Sequence, residues 1–417
     1  MNKKKINNKN IEYLKGHYEN FPYPVPINDL EKELEKYFYF ADPSKFWHKI
    51  WPEKKFSEKK LNIFIAGCGT KQAAIIAKCN PEHSVIGADI SKTSIDSSEF
   101  LKKKYSLNNL ELLCNDFRNI TFAKKFDLII CSGVIHHLED PNSGINYLSN
   151  ILEPDGVIDL MVYGDKSNSC LNFFKQFFKK INLKQDERSI IFLKNFINIL
   201  NPGHPLKILT GSSTDLKNNS GIVDLLLHQS EKFFSIKEIT SLLEKNNLII
   251  KSFIHSNFTS LSRFFFHTPE ILQTINNMKA EDKWEIAQIL NWDDRKINFF
   301  CTNSKNIKYS FAYNTPDFME MFIHCRAKCF FEKVNNRLIF ISEKGEQLFF
   351  DNINFKNLIN NFQNFFTGKN KIKELTENLK HIDKNNLLSM ISLLFENHFI
   401  DISFYPILKK EFFFSYK

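Results

Sequence analysis

Four short apolar segments follow one another early in the chain, each ending on glycine or polar side chains, and this order constrains the fold most. They are Leu61–Thr70, Ser84–Asp89, Leu110–Asp116 and Phe126–Ser132. Stretches with helical spacing separate them, which is typical of a parallel sheet built from βαβ units. The carboxyl ends of parallel strands meet at one edge of an open sheet, and ligands bind at that edge. The sequence therefore predicts a binding site there.

Three further segments complete a predicted seven-stranded, Rossmann-like α/β sheet. They are Val157–Tyr163 after a tight turn at Glu153–Gly156, Leu248–Ile254, and Lys296–Thr302 as the closing edge. Two amphipathic helical patterns, at Leu171–Ile181 and Ser189–Leu200, interrupt the alternation of strands and helices. An insertion of this size is usually a lid or a substrate-facing subdomain. Ser235, with Glu238 three residues later, predicts a capping box that starts the helix after the insertion.

The 417 residues divide into three predicted regions. Residues 1–60 form a lead-in and cap, of which 1–10 are expected to be a disordered tail. Residues 61–305 form the sheet domain with its insertion at about 164–230, and residues 306–417 form a small α+β domain. That domain has a hairpin signal at Lys344–Gly345 and helical patterns at 355–365, 372–379 and 385–397, which resemble a winged helix. Its third helix has few basic residues, which favours protein contact over DNA contact.

Charge and cysteine content limit the class of protein. The net charge of +9 comes from 56 basic against 47 acidic residues, a small excess that favours solvated faces over a nucleic-acid surface. The eight cysteines lack the paired spacing of a zinc site, and Cys325 and Cys329 are predicted helical neighbours. We therefore expect no metal and a reducing compartment. Without an apolar leader or a run of about 18 apolar residues, we expect a cytoplasmic protein with no membrane partner.

The groups at the strand ends are of the kind that binds a nucleotide. The Gly67-Cys-Gly69 turn lets the backbone approach a ligand, and Gln72 at the third position of the dinucleotide fingerprint argues against nicotinamide. Asp89 can accept hydrogen bonds from both ribose hydroxyls, with an N-cap of the following helix as the alternative role. Asn115–Asp116 can accept from an exocyclic amine such as that of adenine, with an Asx turn as the alternative.

Two adjacent histidines, His136 and His137, follow the fourth strand, where a transferred group would be held. An imidazole at that place can take a proton from a nucleophile, so both are candidate catalytic residues. Adjacent side chains cannot both face one site, and a structural role is the alternative for either. Tyr163, His204 and His228 are candidate acceptor-pocket residues, with packed or surface positions as their alternatives.

The run from Ile63 to Tyr163 resembles the class I S-adenosylmethionine-dependent methyltransferases. Five motifs occur in the family's order: FIAGCGT, ADIS with the ribose acid, NDF at the adenine contact, FDLIICSGVIHHLEDP, and LEPDGVIDL. The resemblance implies S-adenosylmethionine as cofactor, bound by Ala66, Gly67, Gly69, Thr70, Asp89, Ile90, Asn115, Asp116, Phe117, Ser132 and Gly133. Over about residues 18–305 the chain also resembles a bacterial group sometimes found beside tetratricopeptide repeats.

Two positions depart from the family's pattern. Ile65 stands where an acid usually precedes the first glycine by two residues, and Lys71 replaces a loop glycine. Two function classes therefore remain open. One is methyl transfer to an unidentified acceptor, with a small molecule favoured and RNA or a peptide as alternatives. The other is a regulatory protein that binds the cofactor without catalysis. The oligomeric state cannot be predicted from these features.

Overall fold

A computed structural model gives the structure of the chain. It describes residues 8–36, 43, 50–51, 60–211, 213–254, 261, 264, 268–291, 295–303, 316–325, 329–334, 337–342, 347–351, 367–380, 382–396, 399–403 and 414–416. The contacts divide the chain into two units. The first comprises residues 1–39, 60–250 and 288–306, and the second comprises residues 40–59, 251–287 and 307–417.

A seven-stranded sheet organises the first unit. Its strands are β1 Asn62–Ala66, β2 Ser84–Asp89, β3 Leu110–Cys114, β4 Phe126–Ser132, β5 Leu152–Tyr163, β6 Leu248–Phe253 and β7 Lys296–Asn303. The strand order is β3-β2-β1-β4-β5-β7-β6, with β1 to β5 parallel and β7 antiparallel to β5. The predicted seven-stranded Rossmann-like sheet is confirmed.

Two details of the sheet differ from the prediction. Strand β7 lies between β5 and β6, so β6 and not β7 is the edge strand. The run Phe299–Cys301 is fully buried on both faces, which is typical of an interior strand. The predicted turn at Glu153–Gly156 does not form, because β5 is continuous from Leu152 and its register against β4 shifts between Phe126 and Leu128. Such a bulge accommodates the proline within the strand.

Helices flank this sheet and build the insertion. They are α1 Asn8–Asn20, α2 Leu30–Lys36, α3 Gln72–Cys79, α4 Lys92–Lys104, α5 Pro141–Asn150, α6 Asp165–Lys180, α7 Glu187–Ile199, α8 Pro205–Gly211, α9 Asn219–Ile222 and α10 Ile236–Glu244. Two further helices, α11 Pro269–Asn276 and α12 Ala280–Leu290, begin in the second unit. Helices α6 and α7 confirm the helical insertion, which packs Leu171, Phe178 and Leu193 in a core of its own. A π-turn at Val223–Leu227 ends it. Among the described residues, no helix has the length and apolar character needed to cross a membrane.

The C-terminal part of the second unit contains two small sheets. Its strands are β8 Phe322–Cys325, β9 Cys329–Val334, β10 Arg337–Ser342, β11 Gln347–Asp351, β12 Thr367–Lys371, β13 Ile400–Ser403 and β14 Phe414–Tyr416, and its helices are α13 Pro316–Met319, α14 Ile372–Asn378 and α15 Lys384–Glu396. The predicted hairpin is confirmed by antiparallel pairing of β10 with β11. The prediction that Cys325 and Cys329 are helical neighbours is wrong, because they lie on successive strands. The helix predicted at 355–365 lies outside the described residues, and the winged-helix arrangement stays a prediction.

The capping box at the start of α10 is confirmed and gives a first testable prediction. Ser235 Oγ accepts from the Glu238 amide at 3.2 Å, and the Glu238 carboxylate accepts from the Ser235 amide at 2.8 Å. We expect Ser235→Ala to lower the free energy of unfolding by about 1 kcal/mol, measured by urea denaturation, because the Glu238 amide at the helix end loses its side-chain acceptor. Ser241→Ala, at an exposed position of the same helix, is the matched control and should change stability by less than about 0.5 kcal/mol. Equal effects would contradict the capping role.

Candidate functional site

A cavity of about 300 Å³ lies at the carboxyl edge of the parallel strands. Nine of the eleven predicted cofactor residues line it: Gly67, Gly69, Asp89, Ile90, Asn115, Asp116, Phe117, Ser132 and Gly133. Its volume falls in the range of about 300–1,000 Å³ found for small-molecule sites. The other two predicted residues lie outside the lining. Ala66 is buried at the end of β1, and the Thr70 hydroxyl donates to the Pro24 carbonyl at 2.7 Å.

The glycine turn has a backbone conformation that few other residues adopt. Gly67 has a φ of +71° and Gly69 a φ of +57°. The Gly67 amide donates to the Ala88 carbonyl at 2.8 Å, which fixes the turn against the end of β2. A Cβ atom on Gly67 would lie 2.3 Å from Cγ2 of Val134, in the loop after β4. The turn therefore lies too close to that loop for any side chain at Gly67.

Asp89 forms the link between the glycine turn and α4. One carboxylate oxygen accepts from the Gly69 amide at 2.8 Å, and the other accepts from the Ser91 amide at 2.9 Å. Burial raises the pKa of this carboxyl group above its usual value. The N-cap of α4 is Ser91, whose hydroxyl accepts from the Ser94 amide, so the alternative N-cap role does not belong to Asp89. Each carboxylate oxygen has a second lone pair, and the residue lines the cavity.

The segment after β3 is held by Asp116. Its carboxylate forms an ion pair with Arg118, at 2.6 Å from Nη2, and also accepts from the Arg118 amide at 3.0 Å. The Asx-type role that was the alternative at this position is therefore present. Asn115 and Phe117 line the cavity on either side of Asp116. The ion pair fixes all three residues at the cavity wall.

The two departures from the family pattern do not obstruct the cavity. Ile65 is fully buried in β1, where it pairs with Gly87 of β2 and Ile130 of β4. Lys71 is buried and forms an ion pair with Glu33 of α2. Neither side chain belongs to the cavity lining. Both side chains are buried beside the glycine turn, Ile65 in the sheet and Lys71 in its ion pair.

The N-terminal segment contributes a wall of the cavity that sequence reasoning missed. Ile11, Leu14 and Tyr18 of α1 line the cavity together with Tyr23 and Pro24. Their spacing along α1, at i, i+3 and i+7, is the signal that would have indicated a helix with one apolar face. The expected disordered tail at 1–10 is wrong for residues 8–10, which are helical.

Hydrogen bonds attach this segment to α4. The Glu19 carboxylate accepts from the amides of Lys92 and Thr93, at 2.6 and 3.2 Å. The Ser91 hydroxyl donates to the Tyr18 carbonyl at 3.2 Å. A carboxylate on the first amides of a helix is stabilised by the helix dipole. The end of α1 is therefore held at the same rim as the glycine turn.

The two predicted catalytic histidines have different surroundings. His136 is fully buried, stacks on Tyr163 with ring centroids 4.1 Å apart, and does not line the cavity. His137 does line it, and burial lowers the pKa of His137 to about 4, so the ring is neutral. Its Nδ1–H donates to the Ser230 carbonyl at 2.9 Å, which leaves Nε2 to accept from the Tyr18 hydroxyl at 3.3 Å.

The three candidate acceptor-pocket residues differ in whether they line the cavity. Tyr163 lines the cavity, whereas His204 and His228 do not. His204 packs against Phe174 in the insertion, with ring centroids 5.4 Å apart. His228 is buried next to His137, with ring centroids 4.2 Å apart. Asp224, which was not among the predicted site residues, does line the cavity.

Comparison with known proteins gives a family match for part of the chain. Residues 57–191 match a family model described as "Methyltransferase domain". A Synechococcus protein described as uncharacterized is 21% identical over 263 residues, covering 60% of this chain and 62% of that protein. The malonyl-[acyl-carrier protein] O-methyltransferase of Acetivibrio thermocellus is 26% identical over 132 residues, and the match covers 31% of this chain and 45% of that protein. The chain thus spans less than two thirds of the length of either relative.

Solved structures share the fold over most of the chain. The structure of PKMT2 from Rickettsia typhi in complex with AdoHcy has a TM-score of 0.64 at 15% identity, and the match covers 88% of this chain and 76% of that chain. A second structure of PKMT2 from Rickettsia typhi gives a TM-score of 0.66 at 14% identity, and the match covers 88% of this chain and 77% of that chain. At this identity the likeness shows a common fold.

Proposed function

We propose that this chain is a class I S-adenosylmethionine-dependent methyltransferase that binds S-adenosylmethionine in the cavity and transfers its methyl group to a small molecule. The observation that carries the proposal is that nine of the eleven residues implied by the family resemblance line one cavity. The matched methyltransferase domain supports the same reaction class. The Acetivibrio relative is a malonyl-[acyl-carrier protein] O-methyltransferase, which supports an oxygen acceptor.

The residues of the cavity wall fit the parts of this cofactor. The Asp89 carboxylate lines the cavity and retains lone pairs for two ribose hydroxyls, and Asn115 and Phe117 offer a carboxamide and an aromatic ring to an adenine. The glycine turn leaves the adjoining wall without side chains, which suits the methionine portion. When bound, the cofactor supplies an electrophilic methyl group on a sulfonium.

The remaining wall is suited to holding an acceptor. The lining also includes Tyr18, His137, Tyr163 and Asp224, which we call the acceptor wall. The hydrogen bond to neutral His137 fixes the Tyr18 hydroxyl, which can then orient the acceptor's oxygen toward the methyl group. Alignment of reactants within a site that excludes water provides most of the rate acceleration for such a transfer.

The experiment that tests the proposal has two stages. Calorimetric titration of the full chain with S-adenosylmethionine and S-adenosylhomocysteine is expected to show one site. Incubation with methyl-labelled cofactor and an extract separated into small molecules, RNA and protein is then expected to label the small-molecule fraction. Absence of binding would refute the proposal, and label in RNA or protein would refute the acceptor class. Binding without label in any fraction would favour the regulatory alternative.

Tyr18→Phe tests the acceptor wall. We expect turnover to fall about tenfold, since one orienting hydrogen bond of about 1.4 kcal/mol is lost, while S-adenosylhomocysteine affinity stays unchanged. Tyr147→Phe is the matched control, because its hydroxyl donates to the Ile120 carbonyl at 2.6 Å and the residue does not line the cavity. We would measure the turnover number and the S-adenosylhomocysteine affinity of both variants, and only the turnover of Tyr18→Phe should fall. A loss of affinity in Tyr18→Phe would place its hydroxyl on the cofactor side.

A further inference from the structure

Three buried side chains converge next to the acceptor wall of the cavity. His17 comes from α1, Asp224 from the π-turn of the insertion, and His228 directly follows that turn. Nε2 of His17 lies 3.6 Å from Oδ1 of Asp224, and one potential ligand atom from each of the three residues lies within 4.8 Å of the others. The fold therefore brings together two imidazoles and one carboxylate from segments about 200 residues apart in sequence.

Four polar atoms of this cluster form no hydrogen bond among the described residues. Both ring nitrogens of His17, Oδ1 of Asp224 and Nε2 of His228 are buried and form no hydrogen bond within the described part of the chain. Buried polar atoms in proteins are nearly always paired, and each exception calls for an explanation such as a missing ion. Four such atoms within one cluster point to an occupant that binds nitrogen and oxygen donors together.

We propose that His17, Asp224 and His228 bind a divalent transition-metal ion of the Zn²⁺ type. Two histidines and one carboxylate are a ligand set that Zn²⁺ and Fe²⁺ sites use, with a further coordination position left open. In a tetrahedral site with bonds of about 2.0–2.1 Å, ligand atoms lie about 3.4 Å apart, close to the separation between His17 and Asp224. The ligand atom of His228 lies within 4.8 Å of the other two.

A second group of potential ligands is a poorer site. His137 and Glu231 also approach His228, but Glu231 forms an ion pair with Lys175, and that ammonium group would repel a cation. Asp224 lines the cavity, whereas His17 and His228 do not. An ion bound by His17, Asp224 and His228 would therefore have its open coordination position on the cavity side, beside the acceptor wall.

Metal binding has a local structural consequence. The Ser230 amide now donates to Nδ1 of His228 at 3.2 Å. Coordination through Nε2 places the proton of the neutral ring on Nδ1, so this amide must give up its present partner. We expect the turn at 228–231 to rearrange when the ion binds. This change can be followed without any methyl acceptor or cofactor.

The test measures ion binding directly on the full chain. We expect the purified protein, loaded with Zn²⁺ and dialysed against a weak chelator, to retain one equivalent by elemental analysis. We expect Co²⁺ to give the visible absorption of a low-symmetry, nitrogen- and oxygen-bound ion. His17→Ala and Asp224→Asn should each weaken binding at least tenfold, and His204→Ala, at a histidine outside the cluster, should leave it unchanged.

Two results would overturn the proposal. One is wild-type protein that holds no stoichiometric Zn²⁺ and gives no Co²⁺ absorption, in which case His17 and Asp224 form a simple ion pair. The other is equal binding by wild type and both cluster variants, which would place the ion elsewhere. Circular dichroism and S-adenosylhomocysteine titration of each variant report whether it has folded. Because ion binding is read without transfer, failure here leaves the proposed methyl transfer untouched.

Discussion

Asp89→Asn is expected to raise the Kd for S-adenosylhomocysteine about 100-fold. The Asp89 carboxylate accepts from two backbone amides and has lone pairs left for two ribose hydroxyls. An amide side chain has only one accepting oxygen, so its NH₂ group must face either a backbone N–H or a ribose hydroxyl. Hydrogen bonds to a charged group contribute about 1.5–3 kcal/mol each, and a loss of about 3 kcal/mol corresponds to about two orders of magnitude in affinity.

The matched control for this variant is a carboxylate of the helix that follows Asp89. Asp96 is exposed on α4 and forms a surface ion pair with Lys92. Such pairs contribute little, so Asp96→Asn should change neither affinity nor stability measurably. Calorimetry gives the Kd of both variants, and thermal unfolding shows whether the glycine turn remains in place. An unchanged Kd in Asp89→Asn would mean that the ribose is not held by this carboxylate.

The parts of the site that could be predicted are local in sequence. Gly67 and Gly69 lie in the turn after β1, Asp89 is the last residue of β2, and a parallel sheet brings these strand ends to one edge. It was therefore predictable that Asp89 and the glycine turn lie close together, and a direct hydrogen bond joins them. The capping box at Ser235 and Glu238 was predictable for the same reason, since both partners lie within one turn of helix.

The parts that could not be predicted depend on contacts between distant segments. The wall formed by Ile11, Leu14 and Tyr18 requires α1 to attach to α4, about 75 residues later, through the Glu19 carboxylate. The interior position of β7 depends on its pairing with β5, about 140 residues earlier. No local pattern encodes these partners, because hydrophobic spacing indicates which face is buried but not what covers it.

Gly67→Ala is expected to lower the free energy of unfolding by about 3 kcal/mol. A non-glycine residue at φ +71° is strained by about 1–2 kcal/mol. In addition, the new Cβ would lie 2.3 Å from Cγ2 of Val134, and overpacking of this kind costs about 1–3 kcal/mol. Because the displaced loop carries Gly133 of the cavity wall, affinity for S-adenosylhomocysteine should fall as well. Urea denaturation and calorimetry measure the two effects.

The clash and the backbone strain can be separated with a second substitution. Val134→Ala removes Cγ2 but leaves the φ of residue 67 positive, so the double variant should recover the clash energy and retain the strain. A double-mutant cycle is then expected to give a coupling energy of at least about 1 kcal/mol. Gly203→Ala, where nothing lies within 4 Å of the added Cβ, is the matched control and should be close to neutral. Zero coupling between positions 67 and 134 would show that the loop after β4 does not pack on the glycine turn in solution.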